Sequence, residues 1–173
     1  MAKQLPSIEQ INDLLRYDPE TGRFYWNKRR CGTIFGKQAG TTCAKGYTRI
    51  KINGSLYLAH RLAWKLTHGT DPHGKEVDHI DLNPDNNRPE NLRLADHGQN
   101  QSNGKAYSSN KNGMRGVHWH KQHQKYCVSI QHKKKARHLG LFDDLMEAAN
   151  AYDRAAIELF GEFANLNNFK EAV

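Results

Sequence analysis

The chain has 173 residues, a formal net charge of +8 and 37% hydrophobic residues, with three Trp, seven Tyr and six Phe as core material; this suits one ordinary domain or two small ones and excludes wholesale disorder. A mean hydropathy of −0.88 and an isoelectric point near 9.4, with no apolar stretch of membrane-spanning length and no apolar core of a signal peptide in the first ten residues, point to nucleic acid as the partner and away from a membrane. Cys31, Cys43 and Cys127 form no C-x-x-C pair, which argues for reduced thiols in a cytoplasm and against a disulfide framework or structural zinc.

In chain order, Ser7 to Tyr17 predicts a short helix, capped by Ser7 with Ile8, Ile11, Leu14 and Leu15 as its apolar stripe. Asp18 to Gly22 reads as a turn into the strand Arg23–Trp26. Tyr47 to Leu58 predicts a hairpin around Asn53-Gly54, the favoured two-residue turn. His60 to Leu66 reads as a helix, followed by a polar loop that includes His68 and His73. His60, beside Trp64 on an apolar helix, is expected to be a packed side chain. Gly104 to Gly113 has linker composition. Beyond it, Met114–Trp119, Tyr126–Gln131 and Ala136–Leu141 predict three strands, and Asp143–Phe160 a helix whose alanines let a sheet approach closely.

The residues that carry chemistry lie between these parts. Val77-Asp78-His79-Ile80-Asp81 sets an acid and a histidine between apolar residues, as on a short strand. The turn-rich run Asn83 to Pro89 leads to a second strand, Asn91–Leu94, and Asp96 can cap a helix that carries Asn100. A strand–strand–helix unit of this size gathers Asp78, His79 and Asn100 at one end. A carboxylate and an amide oxygen suit one hard divalent ion and leave room for water and phosphate. His79 points to the other strand face, where it can deprotonate an attacking water. A calcium loop over Asp81-x-Asn83-x-Asp85 is disfavoured, because its sixth position is Asn86 and its twelfth Leu92.

These motifs resemble the HNH signature of phage homing endonucleases: Asp78-His79-x-Asp81-x-Asn83, Asp85-Asn86-Asn87, Glu90-Asn91-Leu92-Arg93 and Asn100, preceded by Ala59-His60-Arg61-Leu62-Ala63. The resemblance runs from Leu15 to Asn103. It implies a ββα-metal fold with His79 as general base and Asp78 and Asn100 as ligands of one divalent ion, Mg²⁺ first and Mn²⁺ as the alternative. Asn91 matches the family's middle asparagine, counted with His79 in the catalytic set, whose usual role is to brace the hairpin loop. Asn100 in place of a final histidine resembles a nicking subset and implies a cut in one strand.

From His97 to Phe142 there are nine Lys or Arg and no Asp or Glu, a positive surface suited to phosphates. Alternation along the middle strand turns Tyr126, Val128 and Ile130 toward the helix and Lys125, Cys127, Ser129 and Gln131 outward. Trp119 is expected in the core, and Lys133 to Lys135 in a hairpin loop. Gly113 to Asn167 resembles the DNA-binding domain of plant ethylene-response factors (AP-two type) through Arg115-Gly116-Val117, Lys125-Tyr126, Leu139-Gly140-x-Phe142, Ala148-Ala149-x-Ala151-Tyr152-Asp153, Phe160-Gly161 and Leu166-Asn167. The resemblance implies three antiparallel strands on one helix, with Arg115, His118, His120, Lys125, Ser129, Gln131 and His138 facing DNA. His118, His120 and His138 stand where that family has arginine or tryptophan, so its base preferences do not transfer.

The expectation is therefore an α+β protein: an HNH nuclease domain over 1–104, a linker over 105–113 and a DNA-binding domain over 114–173. It is a metal-dependent endonuclease on double-stranded DNA, a monomer without a small-molecule cofactor, in the bacterial cytoplasm if phage-encoded. The rival readings are a non-catalytic DNA-binding regulator with a decayed HNH fold and a nuclease acting on RNA.

Overall fold

The structure, a computed structural model, describes residues 4–29, 34–103 and 112–167. Cys31 and the expected linker, except Asn112 and Gly113, lie outside the described residues. Local antiparallel sheets and helices make an α+β fold in two compact units, Met1–Asp96 and His97–Val173.

In the first unit, Ser7 caps α1 (Ile8–Leu14) in a capping box, with Gln10 returning a bond to the Ser7 N–H. The helix stops at Leu14 instead of Tyr17. Leu15–Asp18 forms β1 and pairs with β2 (Arg23–Trp26) around a turn closed by the Gly22 N–H to Asp18 O at 2.8 Å. A single extra helical turn would give up this ladder and the burial of Leu15, so tertiary pairing wins over periodicity. A sheet of β3 (Thr41–Thr42), β4 (Thr48–Ile52) and β5 (Ser55–Leu58) follows. Its β4–β5 turn at Asn53-Gly54 has φ 46° and 80°, the two left-handed residues a type I′ turn demands.

Helix α2 (Ala59–His68) ends on Gly69 and buries Leu62 and Ala63 in a core with Ile11, Leu15, Phe24 and Ile50. His68, expected in the loop, closes this helix and stacks on Trp64 at 3.6 Å. Strands β6 (Glu76–His79) and β7 (Leu92–Ala95) pair antiparallel across a loop that ends in a 3-10 turn, Pro89–Asn91.

The second unit begins with α3 (His97–Ser102). Strands β8 (Val117–His120), β9 (Lys125–His132) and β10 (Lys135–Phe142) form an antiparallel sheet with β9 in the middle. Asp144 caps α4 (Leu145–Phe160), accepting from the N–H groups of Met146 and Glu147. Val117, Val128 and Ile130 pack on Ala148, Ala149, Tyr152 and Ala156, each branched residue stabilising by roughly 1.5–3 kcal/mol. Gly116, at φ +68°, lies under Tyr152: a Cβ there would stand 2.1 Å from the ring. Trp119 is not in this core. It is 45% exposed and covered on one side by the Tyr126 ring at 4.9 Å.

Candidate active site and nucleic-acid interface

Adjacent residues on β6 face opposite ways, and the register sets Asp78 opposite Arg93 and His79 opposite Leu92. Asp78 is 6% exposed and accepts from Arg93 Nε at 3.0 Å. A carboxylate this buried requires such a partner, and removing the guanidinium would strand the charge. His79, 5% exposed, has Nε2 3.2 Å from Asn87 Oδ1, with the His60 ring edge-on at 5.0 Å and the Tyr47 ring at 5.9 Å. Burial holds the His79 imidazole below its ordinary pKa, opposed by the Asn87 bond and the carboxylates of Asp81, Asp78 and Asp85. At neutral pH it is an uncharged ring, the form that accepts a proton. His60 is packed, as its apolar helix suggests; burial, then the charges of His79 and Arg61, push it down to about 3.

The loop after β6 is held by its own side chains. The Asn91 amide accepts from the Asp81 N–H at 3.0 Å and donates to Asp81 Oδ1 at 2.9 Å and Asn86 O at 2.8 Å. Asn86 Nδ2 donates to Asp81 Oδ2 at 2.7 Å, and the Asn83 N–H to Asp81 Oδ1 at 2.8 Å. Burial raises the Asp81 pKa, but these donors outweigh it and hold the carboxyl below the usual range. Tyr17 of β1 donates its hydroxyl to Asn87 O at 2.6 Å. Burial, with Glu90 and Asp18 adding to it, pushes that phenol well up, so it stays a donor.

Asp78, His79 and Asn91 thus lie together on β6 and the turn before β7, in the first unit. Asn100 stands on α3, in the second. Among the described residues no group of three or more His, Cys, Asp or Glu is gathered to hold a metal. The expected donor set, one carboxylate and one amide oxygen, is of a different kind, and its hard oxygens fit a Mg²⁺-type ion. Helix α3 is fastened within its own unit. Arg115 Nη1 donates to Ser102 O at 2.6 Å, Ser102 Oγ lies 3.0 Å from Phe163 O, and Asn165 Nδ2 donates to Asn103 O at 3.2 Å.

The pairing of β8, β9 and β10 turns His118, His120, Lys125, Ser129, Gln131 and His138 to the sheet face away from α4. His118, Gln131 and His138 are exposed on it, and Lys125 pairs with Asp143 at 2.9 Å. Arg115 is placed differently. It precedes β8, and its guanidinium donates to Ser102 O. Lys133 and Lys134 form the β9–β10 turn, both at positive φ (49° and 64°), and Lys135 opens β10. Cys43 and Cys127 are free thiols. Sequence reasoning gave no role to Asn87, Arg93, Tyr17 or Tyr47. The doubled asparagine Asn86-Asn87 was visible, but asparagine is an ordinary turn residue and the pattern alone does not separate the two uses.

Residues 57–102, from β5 through α3, match the family model described as HNH endonuclease. The chain is 35% identical over 110 residues to Protein 3.8 of Escherichia phage T7, covering 61% of this chain and 86% of that protein. It is also 38% identical over 115 residues to an uncharacterized HNH endonuclease of Acanthamoeba polyphaga mimivirus, covering 66% of this chain; the chain spans 58% of that relative's length. No solved structure matches. The chain therefore carries an HNH endonuclease domain and is a DNA nuclease. No helix among the described residues is long and apolar enough to cross a membrane.

Proposed function

We propose that this protein is a metal-dependent, homing-type endonuclease that hydrolyses phosphodiester bonds of double-stranded DNA, nicking one strand, with His79 as the general base. The observation that carries this reading is the buried β6 pair: an imidazole on one face and an arginine-paired carboxylate on the other. His79 takes a proton from water, the resulting hydroxide attacks phosphorus, and the bond to the 3′ oxygen breaks. By the family's ligand positions, Asp78 and Asn100 would be the residues to hold one divalent ion, Mg²⁺ in preference to Mn²⁺. When bound, such an ion polarises the phosphate and stabilises charge on the leaving oxygen. Asn91 keeps the loop in shape rather than touching the reacting atoms, in keeping with its bonds to Asp81 and Asn86.

Residues 1–104 form the nuclease domain on this reading, and residues 114–173 an ethylene-response-factor-like domain that holds duplex DNA against the outward face of its sheet. The three-stranded sheet on one helix supports it, as do the cationic β9–β10 turn and the outward His118, His120, Lys125, Ser129, Gln131 and His138. Arg115 is left out of the reading set because its guanidinium already serves Ser102 O. The viral relatives favour a phage-type enzyme acting in a host cytoplasm. The test is cleavage of supercoiled plasmid or phage DNA with Mg²⁺ or Mn²⁺, with and without EDTA, for wild type and His79→Ala. Open circles that require metal and vanish in the variant are expected. Intact DNA across a wide sequence library, with binding retained, would leave a non-catalytic DNA-binding protein instead.

A further inference from the structure

Asn87 is 3% exposed, more deeply buried than any other polar residue of the loop. Its backbone carbonyl accepts the Tyr17 hydroxyl, and its own N–H donates to Asp85 O at 3.2 Å. Its side-chain nitrogen also donates to Asp85 O, at 3.3 Å, while Oδ1 faces His79 Nε2 at 3.2 Å. Amide orientation and imidazole tautomer are each ambiguous when taken alone. Here one decides the other. A backbone carbonyl has only lone pairs, so the Asn87 group that meets Asp85 O is the NH₂, and the oxygen is left toward His79. An oxygen acceptor requires a proton on Nε2, and the basic lone pair of the neutral ring then sits on Nδ1.

We propose that Asn87 is a positioning residue for the cleavage reaction: it fixes His79 as the Nε2–H tautomer, and the β1–β2 hairpin holds Asn87 in place to do so. The proposal rests on His79 being the general base. The proton then passes from water to Nδ1, the water oxygen bonds to phosphorus as the 3′ oxygen departs, and Asn87 exchanges no proton. The hairpin's part is visible at two points. Tyr17 anchors the Asn87 carbonyl from β1. The turn between the strands presses Gly22 onto the same peptide: a Cβ there, at φ +69°, would stand 2.7 Å from Arg88 N and 2.8 Å from Asn87 C. Only glycine allows that approach. The orienting acceptor of a catalytic imidazole works in this way elsewhere, selecting the ring nitrogen that acts.

The experiment is nitrogen-15 NMR of the His79 ring in the full chain, at a pH where the ring is neutral, alongside cleavage kinetics. Wild type is expected to show a protonated Nε2 and a pyridine-like Nδ1. Asn87→Leu should mix the tautomers and lower kcat by roughly 10–100-fold, the usual worth of an outer-shell orienting partner, with KM nearly unchanged. Asn87→Asp keeps an acceptor and should restore both the tautomer and most of kcat. Tyr17→Phe, a milder change that keeps the ring, should move both readouts part of the way. A protonated Nδ1 in wild type, which needs no variant to fold, overturns the assignment, as does a tautomer unmoved in Asn87→Leu. Undiminished cutting by His79→Ala would instead overturn the general-base reading, and the tautomer measurement would be unaffected.

Discussion

In the loop between β6 and β7, aspartates and asparagines bond to one another: Asp81 receives Asn83, Asn86 and Asn91, and Asn87 reaches His79. On the outward face of β8, β9 and β10, the polar groups His118, Gln131 and His138 stand exposed. The first region gives up conformational freedom so that a few atoms are fixed to within a fraction of an ångström, as proton transfer and metal binding require. The second keeps its side chains in solvent, where cations can follow a phosphate backbone by charge with little demand on geometry. Changes in the loop should therefore act on rate, and changes on the sheet on affinity.

The largest expected effect is at His79, where β6 meets the loop. His79→Ala should lower the cutting rate by roughly 10²–10⁴-fold, the usual contribution of a general base, while gel-shift affinity stays as it was. An equal loss of affinity would erase the contrast between the two regions. The next effect belongs to the sheet. Replacing Lys133, Lys134 and Lys135 by Ala should reduce the slope of log affinity against log salt by up to about 3, near 0.9 for each phosphate that is no longer neutralised. The rate at saturating DNA should hold. An unchanged slope would take the β9–β10 turn out of the phosphate contacts.

Arg115 tests the border of the comparison. The family resemblance sets it among the DNA-facing residues, whereas its guanidinium donates to Ser102 O. Arg115→Ala should destabilise the second unit by about 1–3 kcal/mol, since it leaves a carbonyl without its charged donor, and should speed amide exchange over His97–Ser102. The salt slope should change little. A lower slope with normal stability would return Arg115 to the DNA-binding face.

Legibility followed the same division. The strand pair around Asp78-His79, the Asn53-Gly54 turn and the long α4 helix were all readable, because local period and turn chemistry decide them. Leu15–Asp18 was not. Ile8, Ile11, Leu14 and Leu15 keep a helical spacing past the point where pairing with Arg23–Trp26 takes the chain over. β3, two threonines long, carries no pattern of its own. Trp119 was expected inside because its strand parity matches Val117, yet parity says which side of a sheet a residue faces and not whether anything covers it. Asn87 and Arg93 stand within the motif, but their tasks depend on which groups they reach in space.

The smallest effect comes from His60, whose ring lies beside His79 and whose pKa is about 3 against an ordinary 6.5. The unfolded chain takes up a proton at His60 once the pH falls below 6.5, while the folded chain takes none until far lower. Its contribution to stability is therefore full above that value and drains away as the pH drops toward 3, at up to roughly 1.4 kcal/mol per pH unit. The shift at His79 has the same sign, so wild type carries both slopes and His60→Gln should lose only one. Urea unfolding at pH 7 and pH 5 measures the difference: wild type should lose more stability across that interval than His60→Gln, by about one proton's worth. Identical losses would mean that the His60 ring is protonated inside the fold, and the uncharged pocket around His79 would then have to be rebuilt with a cation in its wall.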